Sequence, residues 1–364
     1  MDIVENLTTQ IHQTYSLDDV RQLFRDVEAP AGMRSIFTSE QWLVAWLKCA
    51  DAMPALITFN NEGETIGFAF LGKQTAWYGD TYYLNQTGIS EYDQMWIEHN
   101  DIICSETWLP QCRYSLLQAL SHTENFHRLI ISLCPSMQWD AEHTFLWSID
   151  TAQVAYVDMS LIQNSSDGMA KLLSKNARSG INRSKNYIQK NHGDIAFDVV
   201  DNPIDTLQQK AAPLHVAQWR DTDSGSGFSN PHFVDFHKQL CGNNCENYRT
   251  EVLHFKAGEQ DLGYLYMMLS HKTVFFYLSA INYNDDDNRY KPGLVMHKLA
   301  IEHYANLGYE RYDFLAGYAR YKETLSTHHY PLYTLHIANS ALKHRILFGV
   351  NRAVKRFTQF KDSR

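Results

Sequence analysis

Apolar and polar positions along this chain follow two periods, and the places where the period changes mark its elements. In the last third, Thr273-Val-Phe-Phe-Tyr-Leu-Ser-Ala280 reads as a strand, dense in aromatic and β-branched residues. A polar run from Asn282 to Asn288 follows, and Pro292-Gly293 then stand where a helix would begin. Leu294, Leu299, Ala300 and Tyr304 share one face at helical spacing, with Gly308 near the expected end. Arg311-Tyr-Asp-Phe-Leu315 is the next strand. A loop that opens a helix presents unpaired backbone N–H groups and the positive end of the helix dipole, which suits a phosphate or pyrophosphate. An ordinary strand-to-helix turn with Pro at the first helical position has the same pattern.

Earlier in the chain, residues 1–34 read as an irregular arm with a short helix at Leu17–Val27, Asp18 and Asp19 lying in its first turn. Ser39 can cap a helix that puts Trp42, Leu43 and Trp46 on one face. A hairpin, Ala55–Phe59 and Thr65–Leu71 around Asn60-Asn-Glu-Gly63, precedes a third strand at Thr81–Leu84. The same succession returns as Phe228–His237, Val252–Phe255, Leu262–Met267 and Phe275–Leu278. Phe37 aligns with Phe228, Trp42 with Phe233, and Gly67-Phe-Ala-Phe70 with Gly263-Tyr-Leu-Tyr266, at a nearly constant offset. A helix and three strands repeated in order point to duplication of one α/β unit; the alternative is two unrelated segments of similar composition. The first copy continues through Glu91–Asn100, a helix at Ser115–His122 and a strand at Arg128–Leu133, and it has no Pro-Gly loop. Residues 154–160 alternate like a strand, 205–220 read as a helix, 221–227 as a polar loop and 331–337 as a last strand.

With 364 residues, 44% hydrophobic and 13% aromatic, the chain can pack two domains or one large one, and disorder on a large scale is not expected. A net charge of -9 argues against a general polyanion binder, so DNA is not expected and any basic site must be local. One such site is available. Residues 169–191 hold Lys171, Lys175, Arg178, Arg183, Lys185 and Lys190 and no acid, around an apolar stripe of Leu173, Ala177, Ile181 and Ile188. That face can meet phosphates of a cofactor or of RNA, or simply face water. No apolar run is long enough for a transmembrane helix, and the acidic N-terminus lacks a signal peptide's apolar stretch, so a cytoplasmic location is expected. Of the six cysteines only Cys241 and Cys245 are close, at a spacing that matches no standard zinc site; buried free thiols and no metal are expected. There is no Gly-x-Ser-x-Gly and no cysteine with a sequence-placed histidine, which favours direct transfer chemistry over a covalent intermediate.

With Pro292-Gly293 before Ala300-Ile301, then Gly308, Asp313-Phe-Leu-Ala-Gly317 and Tyr321-Lys322, the second half resembles the GNAT-type N-acyltransferases of the FemAB/CelD-like branch. The basic helix at 171–190 and the His215…Trp219-Arg220 segment resemble it too. The resemblance spans roughly residues 150–340, with weaker agreement over 35–133. It implies an α/β (α+β) fold of two tandem GNAT-like domains, each a mixed, mostly antiparallel sheet flanked by helices. Residues 1–150 would form the copy without a phosphate loop, 151–340 the copy with the cofactor site, and 341–364 a basic C-terminal helix. The implied reaction moves an acyl group from acetyl-CoA or another acyl-CoA to an amine on a small molecule or envelope precursor. By the same resemblance, Lys322 stabilises the oxyanion, and Tyr321 and Tyr318 donate to the leaving group. Asp313 orients Lys322 or accepts a proton, unless it pairs with Arg311 or Arg320. Tyr290, Lys291, Pro292, Gly293, Leu294 and Val295 hold the cofactor, and His215, Trp219, Arg220 and Arg178 the acceptor. The loop departs from the family pattern Gln/Arg-x-x-Gly-x-Gly/Ala: Tyr290-Lys-Pro-Gly-Leu-Val295 lacks the first residue and the last small one, and Val295 is expected to crowd a pyrophosphate. That departure brings in aminoacyl-tRNA as the donor, as in FemAB-like relatives, and a non-catalytic binding role on the same scaffold.

Overall fold

The structure, a computed structural model, describes residues 7–27, 35–51, 53–163, 165, 167–222 and 225–340. Its strands are β1 (Leu7–His12), β2 (Ala55–Asn61), β3 (Glu64–Ala76), β4 (Gly79–Leu84), β5 (Ile103–Cys104), β6 (Phe126–Cys134), β7 (Thr144–Asp158), β8 (Ile195–Val199), β9 (Tyr248–Ala257), β10 (Gln260–Ser270), β11 (Thr273–Ile281), β12 (Arg311–Ala316) and β13 (His328–Asn339). The helices are α1 (Leu17–Asp26), α2 (Glu40–Cys49), α3 (Ser90–Asp93), α4 (Leu109–Ser121), α5 (Lys175–His192), α6 (Pro203–Thr206), α7 (Ala212–Trp219), α8 (Pro231–Cys241), α9 (Pro292–Asn306) and α10 (Arg320–Leu325).

All strands join one 13-stranded sheet in the order β1-β2-β3-β4-β6-β13-β7-β12-β11-β10-β9-β8, with β5 paired to β3. The duplication expected from the sequence is visible in it. In each half three antiparallel strands, β2-β3-β4 or β9-β10-β11, lead through a helix, α4 or α9, to a parallel fourth strand. The fifth strands are exchanged. β7 follows β6 in sequence but pairs with β12, and β13 follows β12 but pairs with β6. β7 and β13 also pair with each other, antiparallel, along the middle of the sheet.

Local chemistry explains the helix starts. Ser39 Oγ accepts from Trp42 N at 3.2 Å to cap α2, and Ser16 with Asp19 forms a capping box on α1. Such a cap contributes about 1 kcal/mol. α5 begins at Lys175, later than the charge pattern implied, because Ser174 Oγ takes the Ala177 N–H at 3.2 Å while residues 168–171 form a separate tight turn. It ends where Gly193 adopts φ +105°. α2 and α8 pack on the same side, Trp42 against Phe236 with ring centroids 4.7 Å apart. Burying each such side chain contributes roughly 1.5–3 kcal/mol. Trp42, Phe68, Phe233 and Tyr266 belong to one continuous core, so the copies share their interior.

Several elements differ from the sequence reading. The arm contains β1, an edge strand on β2, and β8 forms the opposite edge on β9; both are short and held from one side, so their alternation is weak. β7 begins at Thr144 rather than near 154, and α4 at Leu109 with Pro110 in its first turn. The last strand starts three residues before the expected 331, at His328 and His329; His329 Nε2 lies 3.1 Å from Glu323 Oε1 and His328 stacks on Tyr156. The expected helix at 341–364 lies outside the described residues. No helix among the described residues is long and apolar enough to cross a membrane.

Candidate active site

β11 and β12 run parallel and pair only from Thr273 with Arg311 to Phe275 with Asp313. Beyond that point they separate. Phe276–Ser279 on one strand and Phe314–Ala316 on the other line a cleft of about 430 Å³. His215 and Trp219 of α7, Phe233 of α8, and Tyr321 and Lys322 of α10 complete much of its wall. Trp96 and Glu98 reach into it from the first half.

The equivalent opening in the first half is closed. β4 and β6 pair from Asp80 with Phe126 to Tyr83 with Ile130. Past them, Asn100 bridges the gap: its N–H donates to Leu133 O at 3.3 Å and its Nδ2 to Leu84 O at 2.8 Å. Asn85 Nδ2 locks the bridge by donating to Asn100 Oδ1 at 2.9 Å. Asn100 and the neighbouring Asp101, which is ion-paired with Arg113, are fully buried.

Lys322 stands at the cleft on the first turns of α10, with its Nζ donating to Leu315 O at 3.1 Å and Ala316 O at 3.0 Å. Burial holds its pKa below the ordinary lysine range. Asp313 is completely buried and does not line the cleft. Its Oδ1 accepts from Leu315 N at 2.9 Å and its Oδ2 from the Tyr330 hydroxyl at 2.8 Å. Leu315 has φ +60°, a conformation that L side chains rarely adopt, and the Asp313 bond to its N–H holds it there. Asp313 therefore shapes the turn whose carbonyls receive Lys322, without touching Lys322 in a hydrogen bond. Burial raises the Asp313 carboxyl to about 6. Arg311 lies over the rings of Tyr156 and Tyr330 and makes no ion pair with Asp313.

Tyr321 lines the cleft and stacks on the buried His297 at 5.1 Å and 13°. Tyr318 is 84% exposed at the mouth. His215 is buried, lines the cleft, and has Nδ1 2.8 Å from Ser226 Oγ while stacking on Trp219. Desolvation lowers its pKa to about 4, so the ring is neutral near pH 7. Arg220 and Arg178 are exposed and do not line this cleft.

The 290–295 loop sits elsewhere on the same connection. Tyr290 is buried, its hydroxyl donating to Asn282 O at 3.1 Å; Lys291 N donates to Ser184 Oγ at 3.0 Å. Gly293 packs on the end of β11, where a Cβ would stand 2.7 Å from Ile281 Cδ1. Val295 does not crowd the loop as expected. Its side chain is 1% exposed in the core with Met296 and Ile301, because it falls on the inner face of α9. Lys291, Arg289, Arg183, Asn288 and Gly180 line a recess of about 270 Å³ beside the start of α9, whose first turn has no side-chain cap.

Sequence reasoning missed Glu98, His99 and Tyr330. Glu98 is 5% exposed, and both of its carboxylate oxygens accept from Ala316 N at 3.0 Å. His99 Nε2 lies 2.9 Å from the Tyr330 hydroxyl. Residues 94–104 carry neither period, and the partners of Glu98 and His99 lie in the other half, so nothing local marks them.

With this geometry in hand, comparison with known proteins is informative. The family model of the acetyltransferase (GNAT) domain matches residues 175–323. That stretch holds α5, the 290–295 loop, β11, β12 and Lys322. Among solved structures, FemX is similar with a TM-score of 0.58 at 9% identity, covering 93% of this chain and 98% of its own. A conserved protein of unknown function from Bacteroides thetaiotaomicron VPI-5482 gives 0.54 at 11%, covering 91% of this chain and 100% of its own. L-PGS from Bacillus licheniformis gives 0.51 at 10%, covering 94% and 98%. No match was found among curated protein sequences. At such identities these likenesses show the fold alone: a tandem GNAT-like fold along nearly the whole length of the chain.

Proposed function

We propose that the protein is an N-acyltransferase that moves an acyl group from acyl-CoA to an amine by direct attack within the cleft. The observation that carries this is the separation of β11 from β12 with Lys322 at the resulting opening. A thioester carbonyl entering between the strands would meet an ammonium that has spent two of its three N–H donors on the carbonyls of Leu315 and Ala316. The third is available to an oxyanion, and in a partly dry site one such donor accelerates acyl transfer by roughly 10²–10³-fold. The acceptor amine would lie among Trp219, His215 and Trp96, with Tyr321 near the departing sulfur. The donor's phosphates would lie in the cationic recess at the start of α9, held by Arg183 and Lys291 beside a helix start that has no side-chain cap. An acyl-CoA donor would put the reaction in the cytoplasm, with residues 151–340 building most of the site and Trp96 and Glu98 joining it from the first half.

Titration calorimetry with acetyl-CoA and with a longer acyl-CoA tests the donor. Saturable micromolar binding, weakened at least tenfold by Gly293→Trp, is expected. Absence of heat with both, in protein shown to be folded, would sink the CoA reading. One observation favours a second donor: Lys171, Lys175, Arg178, Arg183, Lys185 and Lys190 are all exposed on or beside α5. An aminoacyl-tRNA could bind that face, with affinity falling steeply with salt. Electrophoretic mobility shifts with aminoacyl-tRNA at two salt concentrations separate the two donors.

A further inference from the structure

We propose that Glu98, delivered from the first half of the chain, takes the proton from the attacking amine in the cleft built by the second half. The inference rests on the acyl-transfer reading of that cleft. Four observations support it. Glu98 lines the cleft, yet lies outside the residues matched as an acetyltransferase domain. Its carboxylate is fixed by Ala316 N–H, and Ala316 O is one of the two carbonyls that hold Lys322. Acid and ammonium are thus registered on one peptide segment. The backbone around Glu98 is held in an unusual shape: Trp96 and His99, neither of them glycine, have φ +48° and +50°. Finally, the next residue, Asn100, closes the first half's own opening. The segment that seals one cleft therefore carries a carboxylate into the other.

The step balances without another reactant. The amine lone pair forms the C–N bond to the thioester carbon. The C–S bond breaks with its electron pair on sulfur. The nitrogen's proton passes to a Glu98 oxygen and from there to solvent, and the thiolate takes up a proton from water, so no net proton is gained or lost. The groups facing Glu98 are Lys322 on α10, Asp313 on β12, Tyr277 on β11 and Tyr330 on β13. Buried among them, the Glu98 carboxyl is pushed up to about 8. His215 is the other base in the cleft, and its pKa of about 4 gives a distinct signature.

Benzylamine suits as a probe, since the cleft wall is largely aromatic and Trp96 and Trp219 lie on it. Two readouts are taken on the full chain, wild type, Glu98→Gln and Glu98→Asp. The first is quenching of tryptophan fluorescence by benzylamine without any donor. The second is release of CoA thiol from acetyl-CoA plus benzylamine across pH 5–9, with circular dichroism confirming folding. With binding read at pH 9, where Glu98 is ionised, the expected result is benzylamine binding weakened about tenfold in Glu98→Gln, and turnover reduced on the order of 10²-fold. Acetyl-CoA binding should stay unchanged, and Glu98→Asp should recover part of the rate. In the wild type, kcat/KM should rise through a limb near pH 8. Equal benzylamine binding at pH 9 in wild type and Glu98→Gln, or an unchanged pH limb, overturns the proposal. Loss of acetyl-CoA binding by all three proteins, with benzylamine binding still dependent on Glu98, overturns the donor reading and leaves the Glu98 contact standing.

Discussion

Glu98→Gln should make the protein more stable, and increasingly so as pH rises. In the fold the carboxyl is pushed from its ordinary 4.5 to about 8, chiefly by desolvation, with the Ala316 N–H and Lys322 opposing the rise. A group whose folded pKa is raised contributes its full stability only below the unfolded value. That contribution is lost as pH rises through the folded value. The loss is about 1.4 kcal/mol for each pH step across this window, so the full interval amounts to about 5 kcal/mol at most. Glutamine is isosteric with the protonated acid and can still accept from Ala316 N. At pH 5 the two proteins should therefore agree within about 1 kcal/mol. By pH 8 to 9 the variant should be ahead by several. Urea unfolding of both at pH 5, 6, 7, 8 and 9, followed by tryptophan fluorescence, gives the difference directly. Parallel stability profiles would show that the carboxylate is well solvated, and would remove the physical basis for its raised pKa.

Four further outcomes are expected. Lys322→Met should lower acyl transfer to a probe amine by on the order of 10²-fold or more while leaving acetyl-CoA affinity within a few-fold, checked by thiol release and calorimetry. Tyr330→Phe removes a hydrogen bond that lowers the Asp313 pKa, so the folded value rises above about 6. The variant should lose about 1–3 kcal/mol, and lose more at pH 8 than at pH 5, in denaturant titrations at both. Asn100→Ala takes a buried donor from Leu84 O and one of the two acceptors from Asn85 Nδ2, which keeps Asp101 O, and should cost about 1–3 kcal/mol, measured by thermal unfolding. Gly293→Ala should change stability by less than about 1 kcal/mol, because the methyl comes close only to the far end of the Ile281 side chain, with Tyr283 Oη at ordinary contact distance, while helix propensity improves. A larger loss would mean that the β11–α9 contact is rigid.

The repeated unit was legible because each copy carries strong local signals. Ser39 before Trp42-Leu-Val-Ala-Trp46, and the Gly67-Phe-Ala-Phe70 and Gly263-Tyr-Leu-Tyr266 strands, have periods that local physics enforces. Lys322 and His215 were found through motif order, and both line the cleft. Asp313 was found too, but its burial behind the Leu315 turn depends on Tyr330, which only the sheet pairing brings near. Arg178 and Arg220 came from the resemblance of their segments, which does not fix where a side chain ends up, and both are exposed and outside the cleft lining. Glu98 was invisible for a different reason: its partner Ala316 is far away in sequence, and its own segment has no regular period. The edge strands β1 and β8 escaped because a short strand held from one side needs little alternation to form.

The exchange of β7 and β13 has a consequence for how such a molecule can change over generations. A duplicated unit that keeps all its own strands can be deleted, swapped or moved to another gene with little damage to its twin. Here the copy whose cleft is closed lends a strand to the copy whose cleft is open, and borrows one in return. Losing the closed copy would strip β12 of its neighbour and bare the strand that holds Asp313. The two copies are therefore bound to a common inheritance, and one remains free to give up its own cleft without becoming dispensable.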